Sequence, residues 1–219
     1  MSTNWPTVAL DPITQLRAVH ASLPGSYLEE RVLDMPFDRL WDLVDDLERF
    51  VRWFSDVETT RHLSVRAPLS LPMEEHWFEG MVAEQGKSVY HFVICRLADD
   101  EPIGTAGLHN LDFVNGNAEF GISIGEKSEW NKGYGTDALH AICDFGFGEL
   151  RLERIELQVY APNARARRSY EKAGFVLEGT LRHRHVAQGR HEDVLIMSFL
   201  REEWAAQPRR RSWELNELG

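Results

Sequence analysis

Cysteine is scarce in this 219-residue sequence: only Cys95 and Cys143 occur, each inside an apolar segment and with no CxxC pair. That scarcity argues against a disulfide framework and predicts two buried, reduced thiols. No stretch approaches the roughly 18 consecutive apolar residues that a membrane helix needs. The N-terminus also lacks the basic start and apolar stretch of a signal peptide, so we expect a cytoplasmic protein with no membrane partner.

Basic residues are in the minority, with 24 Lys and Arg against 35 Asp and Glu. The net charge of −11 and the pI near 5.3 argue against a nucleic-acid partner, because such binding depends on neutralising phosphates. An acidic surface suits a cationic or amine substrate better. The one basic run, Arg209 to Arg211, lies in a polar segment and is expected to be solvated.

The first part of the chain is predicted to contain an irregular extension, a strand and two helices. Residues 1–25 carry three prolines and little periodicity, and residues 27–33 have the pattern of a strand. Residues 70–86 predict an amphipathic helix with Ser70 as its cap and Gly86 at its end. The helix before it is indicated by apolar residues at spacings of three and four: Phe37, Leu40, Trp41, Val44 and Leu47.

The remainder of the sequence alternates strands with two further helices. Residues 88–98, 103–109 and 117–124 are β-rich runs separated by turns, which predicts an antiparallel meander. Residues 154–160 alternate as a strand, residues 163–175 form a short helix, and the last strands turn at Gln188-Gly189. This order indicates a mixed sheet, mostly antiparallel, with helices on both faces.

Two glycines one residue apart, Gly133 and Gly135, lie between the third strand of the meander and a helical pattern. Without Cβ atoms the backbone can approach a ligand closely, and the free amides of a first helical turn favour an anion. The spacing matches neither GxxxxGK[ST] nor GxGxxG. Taken alone, the pattern leaves a phosphate site and a plain tight turn equally open.

Three signatures in order resemble the GNAT superfamily of acetyl-CoA-dependent N-acetyltransferases. They are Trp130-x-x-Gly133-x-Gly135, the segment "APNARARRSYEKAGF" and, with some divergence, "VRWFSDVETTRHL". Their form is similar to the branch of ribosomal-protein alanine and serine N-acetyltransferases. The resemblance implies a GNAT domain over residues 26–204, a polar tail over residues 205–219, and two central strands that splay apart to form an acetyl-CoA cleft. Homodimers are common in this branch.

The same resemblance assigns the residues that would bind acetyl-CoA. The strand before the loop would pair with the pantetheine arm, the loop amides and the Thr136 hydroxyl would bind the pyrophosphate, and Asn163 would bond the pantetheine. One arginine of the following helix would reach the phosphates. The expected binding residues are Ile122, Ser123, Ile124, Trp130, Asn131, Lys132, Gly133, Tyr134, Gly135, Thr136, Asn163 and Arg168.

Two side chains are implied to be catalytic: Glu119 as the base, acting through water, and Tyr170 as the acid that protonates the CoA sulfur. A solvent-facing strand residue and a buried aromatic anchor are their structural alternatives. The acceptor is a primary amine, either a protein N-terminus or a cationic small molecule such as a polyamine or aminoglycoside. Deprotonation at pH 7 costs an α-amine roughly 1.4 kcal/mol and a lysine-like amine roughly 4 to 5 kcal/mol, which favours the α-amine.

Other interpretations of the sequence remain open. His183, His185 and His191 suggest a metal cluster, but no acid or cysteine completes a ligand set at a fixed spacing. We therefore predict no metal and expect substrate lining or an exposed strand. Strand alternation would put His183 and His185 on one face. A non-catalytic acyl-CoA-binding module would retain the loop, and a lipid-binding helix-grip module would explain only the segment around residues 31–53.

Overall fold

The computed structural model describes residues 43–65, 68–96 and 98–212. The predicted extension over residues 1–25, the strand over residues 27–33 and the start of the first helix lie outside these residues. Within them, no helix is long and apolar enough to cross a membrane.

The elements follow the predicted order closely. Short helical turns also occur at Lys127–Glu129 (3₁₀) and Phe145–Glu149 (π). The helices and strands are α1 (Leu43–Ser55), α2 (Val57–Thr60), α3 (Leu71–Glu84), β1 (Tyr90–Cys95), β2 (Pro102–Asp112), β3 (Asn117–Ile124), α4 (Tyr134–Asp144), β4 (Arg154–Tyr160), α5 (Ala164–Ala173), β5 (Val176–Ala187), β6 (Arg190–Leu200) and α6 (Arg201–Ala206).

Six strands form one sheet in the order β1-β2-β3-β4-β6-β5. The first three strands pair antiparallel, which confirms the predicted meander. β4 pairs parallel with β3 and antiparallel with β6, so the sheet is mixed and mostly antiparallel, as the sequence indicates. The parallel pair lies in the middle of the sheet, and the crossover between its strands contains α4.

Alternation along β1 shows that helices cover both faces. Phe92 and Ile94 belong to the larger core, which includes Leu139 and Ile142 of α4. Val93 and Cys95 point the other way and pack with buried residues of α1, among them Phe50. Cys95 and Cys143 are both buried and unbridged, as predicted from the sequence.

Local signals explain where α3 and α5 begin and end. Ser70 precedes α3 with an extended backbone, although its side chain makes no capping hydrogen bond. Gly86 follows the helix with φ +81°. Asn163 caps α5 by accepting from the amide of Ala166 at 3.1 Å, and Gly174 ends it with φ +108°, the left-handed conformation that glycine adopts at low cost.

The expectation of a solvated arginine run is wrong for two of its three members. Arg209 forms an ion pair with Asp144, whose carboxylate is 1% exposed. Arg211 is buried, with its guanidinium 4.3 Å from the ring centroid of Trp204. Only Arg210 is exposed. Arg209 finds its partner 65 residues away in Asp144, and Arg211 packs on Trp204 of α6. A run of charges in the sequence contains no sign of either contact.

Candidate active site

β3 and β4 lie side by side only at their beginnings. Their parallel pairing covers three residues of each strand and ends at the pair Glu119 and Glu156. Beyond this pair β3 continues to Ile124 and β4 to Tyr160 without bonding to each other. The central strands therefore separate into an open gap, the splay that the sequence resemblance implies.

The hydrogen-bond alternation of the β2–β3 ladder decides which groups of β3 face this gap. The amide of Gly125 donates to a carbonyl of β2 at 2.9 Å. Every second residue before it also bonds to β2 in an antiparallel ladder, and this includes Ser123. The backbone groups of Ile122 and Ile124 consequently point into the gap. The Ile124 carbonyl already accepts from Nε1 of Trp130 at 2.8 Å, so Ile122 offers the free donor and acceptor.

The glycine loop turns from β3 into α4 through two left-handed residues. Asn131 has φ +65° and Gly133 has φ +95°. Asparagine is one of the few residues with a Cβ that tolerate this region, and glycine adopts it freely. Asn131 thus adopts the backbone conformation that its residue type favours.

The amides of residues 131–135 have no protein acceptor among the described residues. The amides of Thr136 and Asp137 are bonded instead, each to the Gly133 carbonyl at 3.0 Å. Free amides are a general property of a first helical turn, where the helix dipole adds partial positive charge. Four of the five predicted amide donors, those of residues 132–135, are therefore free to bind an anion.

Side chains of the loop are mostly engaged within the protein. Thr136 Oγ1 lies 2.6 Å from Oγ of Ser169 on α5, so both predicted donors of Thr136 have internal partners. Lys132 Nζ pairs with the buried carboxylate of Glu129 at 3.1 Å. Tyr134 packs against the larger core. The donors left for a ligand are thus backbone groups, whose positions the fold fixes.

The "VRWFSDVETT" segment packs beside Gly125 and Lys127, between the end of β3 and the glycine loop. The Trp53 ring occupies the space beside Gly125, where an added Cβ would collide with the ring. Lys127 Nζ binds Asp56 at 2.8 Å and Glu58 at 3.1 Å. These contacts join α1 and α2 to the strand end from which the loop departs.

Glu119 lies where the strands begin to separate. Its carboxylate accepts from Nδ2 of Asn110 at 3.0 Å and from Nε2 of Gln158 at 3.4 Å. The residue is partly exposed, and alternation puts its side chain on the face opposite to Phe120. The two amides orient the carboxylate without neutralising its charge.

Tyr170 lies on the other side of the sheet. Its ring meets Phe120 edge-on with centroids 6.4 Å apart, and Phe175 at 6.1 Å. Because Phe120 directly follows Glu119, Tyr170 and Glu119 flank the start of the gap from opposite faces. Burial raises the pKa of Tyr170 to about 12, so the phenol keeps its proton at neutral pH and has one to give.

Among the arginines of α5, the structure brings Arg165 to the loop. Its guanidinium carbon lies 4.5 Å from the ring centroid of Trp130. Arg168, the arginine predicted to reach the phosphates, is exposed, and within the described residues no hydrogen bond, ion pair or ring contact joins it to the loop. Asn163 serves as the α5 cap through its side-chain oxygen, which leaves its amide nitrogen available.

The three histidines near the end of the chain do not share one environment. A register shift lies between Leu181 and His185, and His183 has φ +55°. His183 is exposed and stacks on His191, whereas His185 is buried against Tyr160 with ring centroids 3.7 Å apart. The expectation that His183 and His185 share a face is therefore wrong, because the irregularity breaks the alternation. No metal-binding group of His, Cys, Asp and Glu occurs in the described residues.

One side chain at this site, His109, has no signal in the sequence. It is the β2 residue paired with Glu119, and its ring lies over Gly107 and Gly121. Each glycine is visible in the sequence, but the strand register that sets them opposite each other is not. No local pattern could have revealed His109.

Comparison with known proteins identifies the family. The sequence model of the acetyltransferase (GNAT) domain matches residues 39–176, more than half of the chain. The uncharacterized N-acetyltransferase p20 of Bacillus licheniformis is 29% identical over 164 residues, which cover 74% of this chain and 91% of p20. The putative ribosomal N-acetyltransferase YdaF of Bacillus subtilis is 35% identical over 111 residues, 51% of this chain and 60% of YdaF.

Solved structures share the same fold. A spermidine N-acetyltransferase from Vibrio cholerae, crystallised with CoA and spermine, superposes with a TM-score of 0.68 at 24% identity. The superposition covers 74% of this chain and 93% of that one. The chain belongs to the acetyltransferase (GNAT) family and is an N-acetyltransferase.

Proposed function

We propose that this enzyme transfers an acetyl group from acetyl-CoA to a primary amine at the gap between β3 and β4. The observation that carries the proposal is the position of this gap beside the free amides of residues 131–135. A phosphate-binding loop next to an unpaired strand edge suits an elongated ligand with an anionic end and an amide-bearing arm. Acetyl-CoA has both parts.

The donor set fits this ligand. The amides of residues 132–135 would bind the pyrophosphate, and the free backbone groups of Ile122 would pair with the pantetheine arm. Arg165 on Trp130 is the arginine best placed to meet the phosphates. Acetyl-CoA, when bound, supplies a reactive thioester. The chain supplies orientation, proton acceptors and a proton donor.

Glu119 and Tyr170 would carry out the proton transfers. The Glu119 carboxylate would accept a proton from the amine, directly or through water, and the Tyr170 phenol would protonate the departing thiolate. Their positions on opposite faces of the gap keep acid and base apart, so neither neutralises the other.

The acceptor is proposed to be a protein N-terminal α-amine or a cationic small amine. The net charge of −11 favours a cation, and the lower cost of deprotonation favours an α-amine. YdaF carries a putative ribosomal assignment and the structural neighbour acts on spermidine, so both classes are represented among the relatives. A cytoplasmic location accords with two buried, unbridged cysteines. Homodimer formation stays a prediction from the resemblance.

The test combines binding and turnover. Calorimetry should detect CoA binding, and release of free thiol should follow when acetyl-CoA is mixed with a panel of peptide N-termini, polyamines and aminoglycosides. Binding without turnover of any amine would support a non-catalytic acyl-CoA module instead. Absence of both would reject the proposal.

Glu119→Gln should slow turnover by about 10²-fold at neutral pH, because the amide cannot accept the proton. The matched control is Glu153→Gln, the same change at a carboxylate whose side chain is 68% exposed. It should leave turnover and CoA affinity within twofold of the wild-type values. An unchanged rate for Glu119→Gln would reduce Glu119 to a structural role.

A further inference from the structure

The ring of His109 packs over two glycines that face each other on neighbouring strands, beside the gap. Gly107 of β2 and Gly121 of β3 are register partners, so their strands leave a space with no side chain on the Glu119 face. A Cβ added at Gly121 would lie 3.3 Å from Nε2 of His109, and one added at Gly107 would lie 3.4 Å from it. The His109 imidazole therefore lies over both glycines. Its Nε2 thus lies beside Gly121, two residues beyond Glu119, where β3 is no longer paired with β4.

His109 of β2 and Glu119 of β3 are cross-strand neighbours. They are register partners on the same face of the sheet, and the carboxylate charge acts on the imidazole. Asn110 and Gln158 hold the carboxylate in place. The imidazole and the carboxylate thus lie together at the start of the gap, on the side opposite to Tyr170.

The groups around His109 keep its imidazole neutral at pH 7. β1 contributes His91, whose ring centroid lies 5.8 Å away, and α3 contributes Trp77 against His91 at 5.2 Å. Burial lowers the pKa of His109 below 6.5, and the charge of Glu119 only partly opposes this effect. His109 is nevertheless partly exposed. It is a neutral base that a ligand can reach.

The acceptor amine gives up two protons during the reaction. A protonated amine loses one proton before its nitrogen can attack and a second once the carbon–nitrogen bond has formed. The thiolate regains one proton through Tyr170, and the other leaves to solvent. A single carboxylate would have to release its first proton before it could accept the next.

We propose that His109 accepts the proton of the incoming ammonium and that Glu119 stabilises the resulting imidazolium and accepts the second proton. The proposal rests on the proposed function. It gives the enzyme a base suited to protonated acceptors at neutral pH.

The first test uses His109→Gln and His109→Ala, with His191→Gln as the control at an exposed position. Both His109 variants should bind CoA normally and lose about 10²-fold in kcat/KM at pH 7. The acidic limb of the kcat/KM–pH profile should disappear. Added imidazole should restore rate to His109→Ala alone, since only this variant leaves a ring-sized space. Rates within threefold of wild type, or an unaltered acidic limb, would overturn the proposal.

The second test does not depend on turnover. The His109 pKa, measured by NMR in the wild-type protein, should lie below 6.5 and should fall further in Glu119→Gln, because the stabilising charge is gone. A His109 pKa that is unchanged in Glu119→Gln would overturn the proposed interaction between His109 and Glu119, even in a protein that acetylates amines. Failure of the proposed function would appear separately, as a wild-type protein without turnover whose His109 still responds to Glu119.

Discussion

Gly133 holds the loop in a backbone conformation that residues with a Cβ resist. Its φ is +95°, and an added Cβ would meet nothing within 4 Å. Glycine is therefore favoured at this position because of its positive φ, and not because a larger side chain would lack space. A residue with a Cβ pays roughly 1 to 2 kcal/mol to adopt left-handed backbone. This conformation belongs to the turn in which the amides of residues 131–135 have no acceptor among the described residues.

Gly133→Ala should therefore weaken CoA binding about tenfold, the equivalent of about 1.4 kcal/mol of strain in the binding-competent loop. Calorimetry with CoA measures the change. Gly179→Ala is the matched control, since that glycine also has open space around its Cβ position but lacks a positive φ. Equal CoA affinity in both variants would show that the loop tolerates other conformations.

At the scale of elements, Asp144 fastens the segment after α6 to the end of α4. Its carboxylate accepts from Nε1 of Trp204 at 2.8 Å, from Nη1 of Arg209 at 2.9 Å and from the Ser212 amide at 2.8 Å. Burial would raise the pKa of Asp144, but the hydrogen bonds and charge of Arg209 outweigh it and hold the pKa below 3.8. The carboxylate is thus charged, buried and fully paired.

Asp144→Asn should lower the free energy of unfolding by about 3 to 5 kcal/mol, because it leaves Arg209 without its charge partner in a buried site. Urea denaturation at pH 7 measures the loss. The comparison is Glu171→Gln, which breaks the exposed pair with Arg167 and should cost no more than about 0.5 kcal/mol. Similar losses in the two variants would mean that burial of the Asp144 pair has little energetic weight.

For the whole molecule, buried histidines make stability depend on pH. Burial, followed by the nearby His109, lowers the pKa of His91 to about 3. An unfolded histidine titrates near 6.5, so the unfolded state binds the extra proton between pH 6.5 and 3. Stability from this group is fully present above pH 6.5 and is lost as the pH falls through that window.

His91→Gln should reduce the dependence of unfolding free energy on pH between 6.5 and 5 by up to ~1.4 kcal/mol per pH unit. Urea titrations of both proteins at several pH values measure the two slopes. Wild-type and variant share the net charge of the rest of the chain, so its changing self-repulsion cancels in the comparison. Parallel slopes would show that His91 is protonated to the same extent in the folded and unfolded chains.

The helices and strands could be predicted from local sequence patterns because their bounds depend on alternation, caps and turn residues. β3 spans Asn117–Ile124 as the alternation predicts, and α5 begins at the cap Asn163 and ends at Gly174. The glycine loop was predicted from Gly133 and Gly135, whose missing Cβ atoms indicated a tight turn or a phosphate site. Where an irregularity interrupts the strand period, as between Leu181 and His185, the same rules wrongly predicted that His183 and His185 share a face.

Sequence by itself thus determined the elements, their order and the glycine loop, since backbone torsions and hydrophobic periods are properties of neighbouring residues. Only the tertiary structure decided which distant groups meet. It set Gly107 opposite Gly121 beneath His109, brought Arg165 onto Trp130 and buried Arg209 on Asp144. These contacts depend on strand register and helix packing, which are settled by the free energy of the whole core and leave no local trace in the chain.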